Sequence, residues 1–172
     1  LINILYMISI LMPIYNGIEF IEESISSVLN QTYTKWELFI GINGHDPNSE
    51  VYTIAKKYEE KYPNKICVLD LYMCVGKSDT LNDMIKYCKY DWVAILDVDD
   101  IWLPEKLKTQ TEYLEEYDVI GSLCVYFENL EGTIPDIPIG DISDFDFRKV
   151  NPIINSSAII RKNLAKWDMD FE

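Results

Sequence analysis

The chain has 172 residues, of which 48% are hydrophobic and 26% are charged, and its formal net charge is −14. That length supports one well-filled hydrophobic core, and the composition is that of a soluble globular domain rather than a disordered or fibrous chain. The negative charge argues against nucleic acid and anionic membranes as partners, because little positive charge is available to displace the counterions of a phosphate backbone. A small anionic ligand can still bind if a metal cation or helix N-termini supply local positive potential.

The four cysteines, at positions 67, 74, 88 and 124, form no C-x-x-C pair and have no histidine at zinc-ligand spacing. Cys67, Cys88 and Cys124 lie among apolar residues, so we expect buried, reduced thiols rather than disulfides. Reduced thiols are typical of the cytosol, and we therefore expect a cytoplasmic protein.

Residues 1–14 are apolar, but the run is too short to cross a bilayer and is interrupted by Asn3, Ser9 and Pro13. No basic region precedes it, so we predict a buried strand here and no transmembrane segment.

Four strand-and-helix repeats follow in chain order. Apolar runs bounded by turn residues predict strands at residues 8–12, 36–42, 66–71 and 92–96. Between and after them, apolar residues recur at helical spacing, and Asp46 with Pro47 suits the N-cap and first position of the second helix. Pro104 suits the start of the fourth helix. Because the strands are apolar on both faces, we predict a parallel sheet covered by helices on both sides.

The last part of the chain is less regular. Residues 118–127 are predicted as a fifth strand and residues 153–160 as a sixth. Between them, residues 128–150 contain prolines, glycines and several Asp residues, which predicts a long irregular loop. Such loops are often functional lids, and a solvated connection is the alternative.

The fourth strand, residues 92–96, runs directly into Asp97, Asp99 and Asp100. Burying an unpaired carboxylate costs several kcal/mol, so these acids are expected at an edge of the sheet near positive charge. An extended backbone would point Asp97 and Asp99 to the same side, where two oxygen ligands suit Mg²⁺ or Mn²⁺. From this stretch alone, a solvated acidic turn is the alternative.

In an open parallel sheet, ligands bind beyond the carboxyl ends of the strands where the strand order reverses. Pro13 to Asn16 follows the first predicted strand, Asn43 follows the second, and the acidic cluster follows the fourth. If the first strand neighbours the fourth, these loops face one crevice. There Tyr15 would stack on a base, and backbone groups near Pro13 would read the edge of that base.

Gly76-Lys77-Ser78 imitates the end of a P-loop, but the full pattern needs glycine at position 71, which is Leu71. We therefore reject a P-loop and expect Lys77 to meet a phosphate as a point charge. His45, the only histidine, is interpreted as a loop residue, and no Ser or Cys constellation supports a nucleophilic triad.

Several motifs in the right order resemble family 2 glycosyltransferases of the GT-A fold, and together they span nearly the whole chain. The motifs that carry the resemblance are Ser9–Asn16, Ser24–Tyr33, Trp36–Leu38, the G-K-x-x-x-L-N segment Gly76–Asn82, the D-x-D-D segment Leu96–Leu107, Asn151–Ser157 and Arg161-Lys162.

The resemblance implies a three-layer α/β/α sandwich with a mostly parallel, Rossmann-like sheet. Residues 1–172 are then a single nucleotide-sugar-binding domain that is expected to be truncated at its C-terminal end. The resemblance also implies inverting transfer from a nucleoside-diphosphate sugar, UDP-sugar being the first expectation, to a glycan, lipid or protein acceptor. Mn²⁺ or Mg²⁺ would be the cofactor.

By the same resemblance, Asp99 is the expected direct metal ligand, and Asp97 lies closer to the ribose while also serving the metal site. The expected nucleotide-sugar-binding residues are Pro13, Tyr15, Asn16, Asn43, Lys77, Asn82 and Asp97.

The chain departs from the family in two places. The family usually carries two Asp residues after its second strand, one of which reads the base, and here these positions are Ile42 and Asn43. The family's general base follows shortly after a segment like Asp170 to Glu172, so the base is expected beyond Glu172. A domain that lacks the base and only binds nucleotide sugars or a partner is therefore the alternative function. Phosphoryl transfer ranks third, because only Lys77 is available as a clamp.

Overall fold

The computed structural model describes residues 6–127 and 132–168. Within these residues, six strands form one sheet in the order β3-β2-β1-β4-β6-β5. The strands are β1 (Ile8–Ile14), β2 (Trp36–Ile42), β3 (Ile66–Asp70), β4 (Trp92–Ile95), β5 (Val119–Ile120) and β6 (Ile159–Arg161). The α-helices are α1 (Ile21–Leu29), α2 (Glu50–Lys61), α3 (Gly76–Met84) and α4 (Lys106–Thr111), and short 3-10 turns lie at Ile18–Phe20, Ile85–Tyr87, Asn155–Ser157 and Lys162–Leu164.

Successive residues of the central strands pack on opposite faces of the sheet, as the alternation of a strand requires. Ile10 belongs to the hydrophobic cluster that includes Ile25 of α1 and residues of α2. Its neighbour Leu11 belongs to the other cluster, which includes Leu81 of α3. All four of these side chains are almost completely buried, and each contributes about 1.5–3 kcal/mol by leaving water. The predicted three-layer α/β/α sandwich is confirmed.

The first and fourth strands are neighbours, as the proposed crevice required. β1 pairs in parallel with β4 on one side and with β2 on the other, while β6 runs antiparallel to both β4 and β5. The strand order therefore reverses between β1 and β4. The loops that follow β1, β2 and β4 leave the sheet at the same edge, which is the carboxyl edge of the parallel strands.

β1 continues through Pro13 to Ile14, two residues beyond the predicted end. The carbonyl of Leu11 accepts from Leu96 on the β4 side, and the carbonyl of Ile14 accepts from Asn43 on the β2 side. The backbone nitrogen of Pro13 therefore points toward β4, but the pairing with β4 has already ended at Leu11. Its missing N–H leaves the pairing with β2 intact.

α4 begins at Lys106 rather than Pro104, and three other predicted boundaries are wrong by more than two residues. α2 begins at Glu50 rather than Pro47, because the carboxylate of Asp46 accepts from the backbone of Asn48 at 2.8 Å and closes a turn there. The fifth strand covers only two of the ten predicted residues. The sixth is shorter and later than predicted, because Asn155–Ser157 forms a 3-10 turn in front of it. The part of the predicted irregular loop that is described, residues 132–150, contains no helix or strand; residues 128–131 lie outside the described residues.

The cysteine prediction is confirmed for only one of the three thiols expected to be buried. All four cysteines are free; Cys88 is buried, Cys124 is partly exposed, and Cys67 is exposed. Cys67 pairs with Phe39 and so lies on the α3 face of the sheet, but it is exposed there because β3 is the edge strand. Among the described residues, no helix has the length and apolarity needed to cross a bilayer.

Candidate functional site

The acidic residues after β4 form a tight turn, which we call the acidic turn (residues 97–100). The backbone N–H of Asp100 donates to the carbonyl of Asp97 at 3.1 Å. Asp97 and Asp100 are partly buried, whereas Asp99 is exposed. The predicted extended geometry is wrong at this point, because the chain turns between Asp97 and Asp100. The acids nevertheless lie at the carboxyl edge of the sheet, as predicted.

Ser156, which precedes β6, forms hydrogen bonds with the acidic turn and with Trp102 just after it. Its hydroxyl accepts the backbone N–H of Asp97 at 2.9 Å, and its carbonyl accepts the indole N–H of Trp102 at 2.7 Å. Burial raises the pKa of the Asp100 carboxyl; the Ser156 hydroxyl opposes this rise, and the charges of Asp97 and Asp99 add to it. Asp100 does not cap the helix that follows, because Glu105 occupies the N-cap position of α4.

Lys77 supplies the positive charge that the acidic turn requires. It is the second residue of α3, and its Nζ lies 2.5 Å from Oδ1 of Asp97. The Lys77 side chain is 39% exposed and that of Asp97 is 24% exposed, so an incoming anion can reach the pair. The structure therefore brings together two of the residues predicted to bind the donor.

Tyr15 lies at the same edge, after β1, and is 59% exposed. Its ring packs on Gly44, whose φ is +71°, and a Cβ placed on Gly44 would lie 2.5 Å from Cε2 of Tyr15. His45 contacts the backbone carbonyl of Tyr15 through Nε2, and the two rings lie 6.1 Å apart. His45 is thus a loop residue that supports Tyr15, while Asn16 is exposed beside it.

Asn43, at the end of β2, is only 3% exposed. Its backbone N–H donates to the carbonyl of Ile14 at 3.1 Å, which fixes the residue beside β1. None of the hydrogen bonds between described residues involves its side-chain amide. Pro13 is buried in β1, so only its backbone is available near this edge.

Asn82 is engaged elsewhere. Its Nδ2 donates to the carbonyl of Trp167 at 2.6 Å, and its Oδ1 accepts the backbone N–H of the same residue at 3.0 Å. The amide therefore clamps the segment after β6 against α3. Its amide is bonded to Trp167, whereas Lys77 and Asp97 are bonded to each other.

A cavity of about 220 Å³ lies beside the acidic turn. It is smaller than most ligand pockets, which span about 300–1,000 Å³. Its walls include two aromatic side chains and three acids, and the lining residues are Phe20, Glu23, Ser24, Val98, Asp99, Asp100, Ile101 and Phe127. Glu23 lies in the first turn of α1, and no local signal in the sequence links it, Phe20 or Phe127 to the acidic turn.

The acidic turn fits a divalent cation that is shared with a phosphate ligand. Within the described part of the chain, no three His, Cys, Asp or Glu side chains are arranged to hold an ion by themselves. Mg²⁺ and Mn²⁺ bound with a diphosphate need only one or two protein carboxylates, because phosphates and water supply the other oxygens. The exposed Asp99 and the adjacent Asp97 satisfy that smaller requirement.

Comparison with known proteins gives a family match and related folds. Residues 9–165 match the family described as glycosyl transferase family 2. The UDP-Glc:alpha-D-GlcNAc-diphosphoundecaprenol beta-1,3-glucosyltransferase WfgD of Escherichia coli is 37% identical over 105 residues, which are 61% of this chain and 40% of that protein. The chain spans less than half the length of the curated relatives it matches.

Two solved structures share the fold. Residues 1–349 of S. aureus TarS in complex with UDP-GlcNAc align with a TM-score of 0.66 at 22% identity, covering 92% of this chain and 46% of that one. The mannosyltransferase PcManGT from Pyrobaculum calidifontis, in complex with GDP-Man and Mn²⁺, aligns with a TM-score of 0.61 at 20% identity, covering 69% and 35%. At these identities the likeness shows the fold alone.

Proposed function

The chain belongs to glycosyl transferase family 2, and we propose that it transfers a sugar from a nucleoside-diphosphate sugar to a glycan, lipid or protein acceptor. The donor is a UDP-sugar, the transfer inverts the anomeric carbon, and Mn²⁺ or Mg²⁺ binds with the donor. Residues 1–172 contribute one donor-binding domain.

One observation carries the proposal: the ion pair of Lys77 and Asp97 lies at the carboxyl edge where the strand order reverses. A diphosphate placed there would contact the Lys77 ammonium. Lys77 would then pair with a phosphate oxygen instead of with Asp97. Asp97 would then be released toward the ribose and the cation. Because the net charge is −14, an anionic donor needs such local positive charge to bind.

Tyr15 and Asn43, at the same edge of the sheet, would bind the nucleoside of the donor. The exposed Tyr15 ring offers a face for stacking, and Gly44 leaves room for that ring. The Asn43 amide offers one donor and one acceptor, which together match the N–H and carbonyl edge of uracil. A carboxylate at this position would only accept. WfgD, whose name specifies UDP-Glc, supports a UDP donor.

The chemistry proposed for this site is stabilisation of the leaving diphosphate. Lys77 would hold the diphosphate in place and compensate the charge that develops as the glycosidic bond breaks. Asp99 and Asp97 would hold the divalent cation, which supplies Lewis-acid stabilisation of the same charge. The general base is proposed to lie beyond Glu172, and no described residue is assigned to that role.

Isothermal titration calorimetry with UDP and GDP, each with Mn²⁺ or with EDTA, tests donor and metal together. We expect UDP to bind with Mn²⁺ and to lose at least about tenfold in affinity with EDTA, which corresponds to about 1.4 kcal/mol. Equal affinity with and without the metal would contradict the metal role, and preference for GDP would contradict the UDP assignment. UDP-sugar binding without UDP release would instead support the alternative of a binding domain that does not turn over its ligand.

A further inference from the structure

Ser156 lies outside the acidic turn in sequence but holds both its first residue and Trp102, which follows the turn. The residue belongs to the 3-10 turn Asn155–Ser157 and is only 6% exposed. Its hydroxyl accepts the backbone N–H of Asp97 at 2.9 Å, over a separation of 59 residues. The same hydroxyl lowers the pKa of the Asp100 carboxyl, against the rise that burial causes.

The carbonyl of Ser156 fixes the chain just after the turn. It accepts the indole N–H of Trp102 at 2.7 Å, and the Trp102 side chain is 5% exposed. Between these fixed points, Asp99 is the exposed residue of the turn. A single serine therefore anchors residues 97 and 102 while leaving Asp99 open to a ligand.

We propose that Ser156 is a positioning residue for the donor and its cation: it holds the acidic turn so that Asp99 stays exposed and Asp97 stays beside Lys77. This inference rests on the proposed function. Ser156 does not touch the donor, and it acts through the backbone of Asp97 and the side chain of Trp102. Without the hydroxyl, the Asp97 N–H loses its partner, and the turn is free to take other shapes.

Ser157 provides a matched control. It lies in the same 3-10 turn and is equally buried, at 5% exposure. Its hydroxyl donates to the carbonyl of Ile154 at 2.7 Å, within its own turn, and its carbonyl accepts from Gln110 at 2.8 Å. Removing this hydroxyl perturbs the same turn without touching the acidic residues.

The test compares Ser156→Val, Ser156→Thr and Ser157→Ala. Valine and threonine have the same shape and differ in the hydroxyl, so the pair separates hydrogen bonding from volume. By calorimetry with Mn²⁺ and UDP, we expect Ser156→Val to bind about tenfold more weakly, the effect of about one lost buried hydrogen bond. Ser156→Thr and Ser157→Ala should stay within about threefold of the parent chain.

Hydrogen exchange of the Asp97 amide, measured without ligand, provides a second readout. The amide should be protected in the parent chain and in Ser156→Thr, and it should exchange faster in Ser156→Val. Equal UDP affinities for the parent chain and Ser156→Val, or equal losses in the Val and Thr variants, would overturn the role of Ser156. Failure of the parent chain to bind UDP with Mn²⁺ would overturn the proposed function, and with it the purpose assigned to the turn.

Discussion

Asp97 and Asp99 are two residues apart, yet their surroundings differ. Asp97 is paired with Lys77, whereas Asp99 is exposed and takes part in none of the ion pairs between described residues. We expect Asp99→Asn to weaken Mn²⁺-dependent UDP binding by roughly 1.5–3 kcal/mol, because it removes a charged ligand from a hard cation. Asp97→Asn should cause a smaller loss that depends less on metal concentration, since the amide can still bond a ribose hydroxyl. Titrations of Mn²⁺ at fixed UDP measure both effects.

Asp100→Asn is the control for this pair. An asparagine there has nearly the same shape and keeps the backbone hydrogen bond to Asp97, so Mn²⁺-dependent affinity should change little. If Asp100→Asn abolished metal-dependent binding and Asp99→Asn did not, the assignment of roles within the acidic turn would be wrong.

Lys106 gives a prediction about pH. Its Nζ donates to Gln110 at 2.7 Å and lies 4.0 Å from the centre of the Trp102 ring, and none of the ion pairs between described residues includes it. Burial lowers the pKa of Lys106 to about 7. Between pH 7 and about 10, the folded state therefore binds fewer protons at this site than the unfolded state, so the free energy of unfolding rises with pH.

We expect this rise to disappear in Lys106→Met. Urea denaturation from pH 7 to 9.5 should show the free-energy difference between parent and variant shifting in favour of the parent, by at most about 1.4 kcal/mol per pH unit. The exposed Lys108, on the same helix and paired with Glu105, is the control, and Lys108→Met should leave the slope unchanged. Parallel curves for the parent and Lys106→Met would contradict the prediction.

At the scale of elements, α3 joins the site to the segment after β6. The backbone N–H of Lys162 donates to the carbonyl of Asp91 at 2.8 Å, so the chain leaves β6 at the amino end of β4. By Trp167 it has returned to α3, where Asn82, the seventh of the nine residues of the helix, clamps it. The segment therefore packs against the C-terminal half of α3, whereas Lys77 of the site lies in its first turn.

We expect Asn82→Ala to lower the free energy of unfolding by about 1–3 kcal/mol, because the Trp167 backbone loses two part-buried hydrogen bonds. UDP affinity with Mn²⁺ should change by less than about threefold. Chemical denaturation followed by tryptophan fluorescence, together with calorimetry, measures the two quantities. Asp83→Ala, next on the helix, removes only an exposed pair with Lys86 and should cost at most about 1 kcal/mol. A tenfold loss of affinity at unchanged stability would instead show that Asn82 contacts the donor.

The loop between β2 and α2 is predicted to shape the surface on which the base stacks. In Gly44→Ala, a positive φ and a Cβ 2.5 Å from the Tyr15 ring both oppose the native arrangement. We expect UDP binding to weaken by roughly 1–2 kcal/mol as the ring is displaced. Gly140→Ala is the control, because Gly140 has a φ of +91° and a Cβ added there would meet no atom within 4 Å. Equal effects of the two variants on UDP affinity would contradict the stacking role.

At the scale of the whole molecule, the reversal of strand order creates the site. β2 and β3 lie in succession on one side of β1, and β4 lies on the other side of β1. The loops after β1 and β4 therefore diverge and leave a crevice between them. Tyr15, Asn43 and Asp97, separated by tens of residues in sequence, meet at this edge because parallel strands share one carboxyl end.

Local sequence patterns predict much of the fold and the family. The periods of apolar residues predicted the first four strands to within two residues, and the layer architecture followed because those strands are apolar on both faces. The D-x-D-D and G-K-x-x-x-L-N motifs, with the others, predicted the family before any contact was known. Local patterns suffice here because they reflect backbone period and turn chemistry, which neighbouring residues determine.

Only the tertiary structure decided which polar groups meet. The hydroxyl of Ser156 bonds Asp97 across 59 residues, and Asn82 holds Trp167 across 85, and neither partner is implied by the sequence around it. The exposure of Cys67 likewise follows from the place of β3 at the edge of the sheet, which its apolar neighbours do not reveal. The physical reason is common to all three: hydrogen bonding and burial depend on which elements pack together, and that packing is a property of the whole chain.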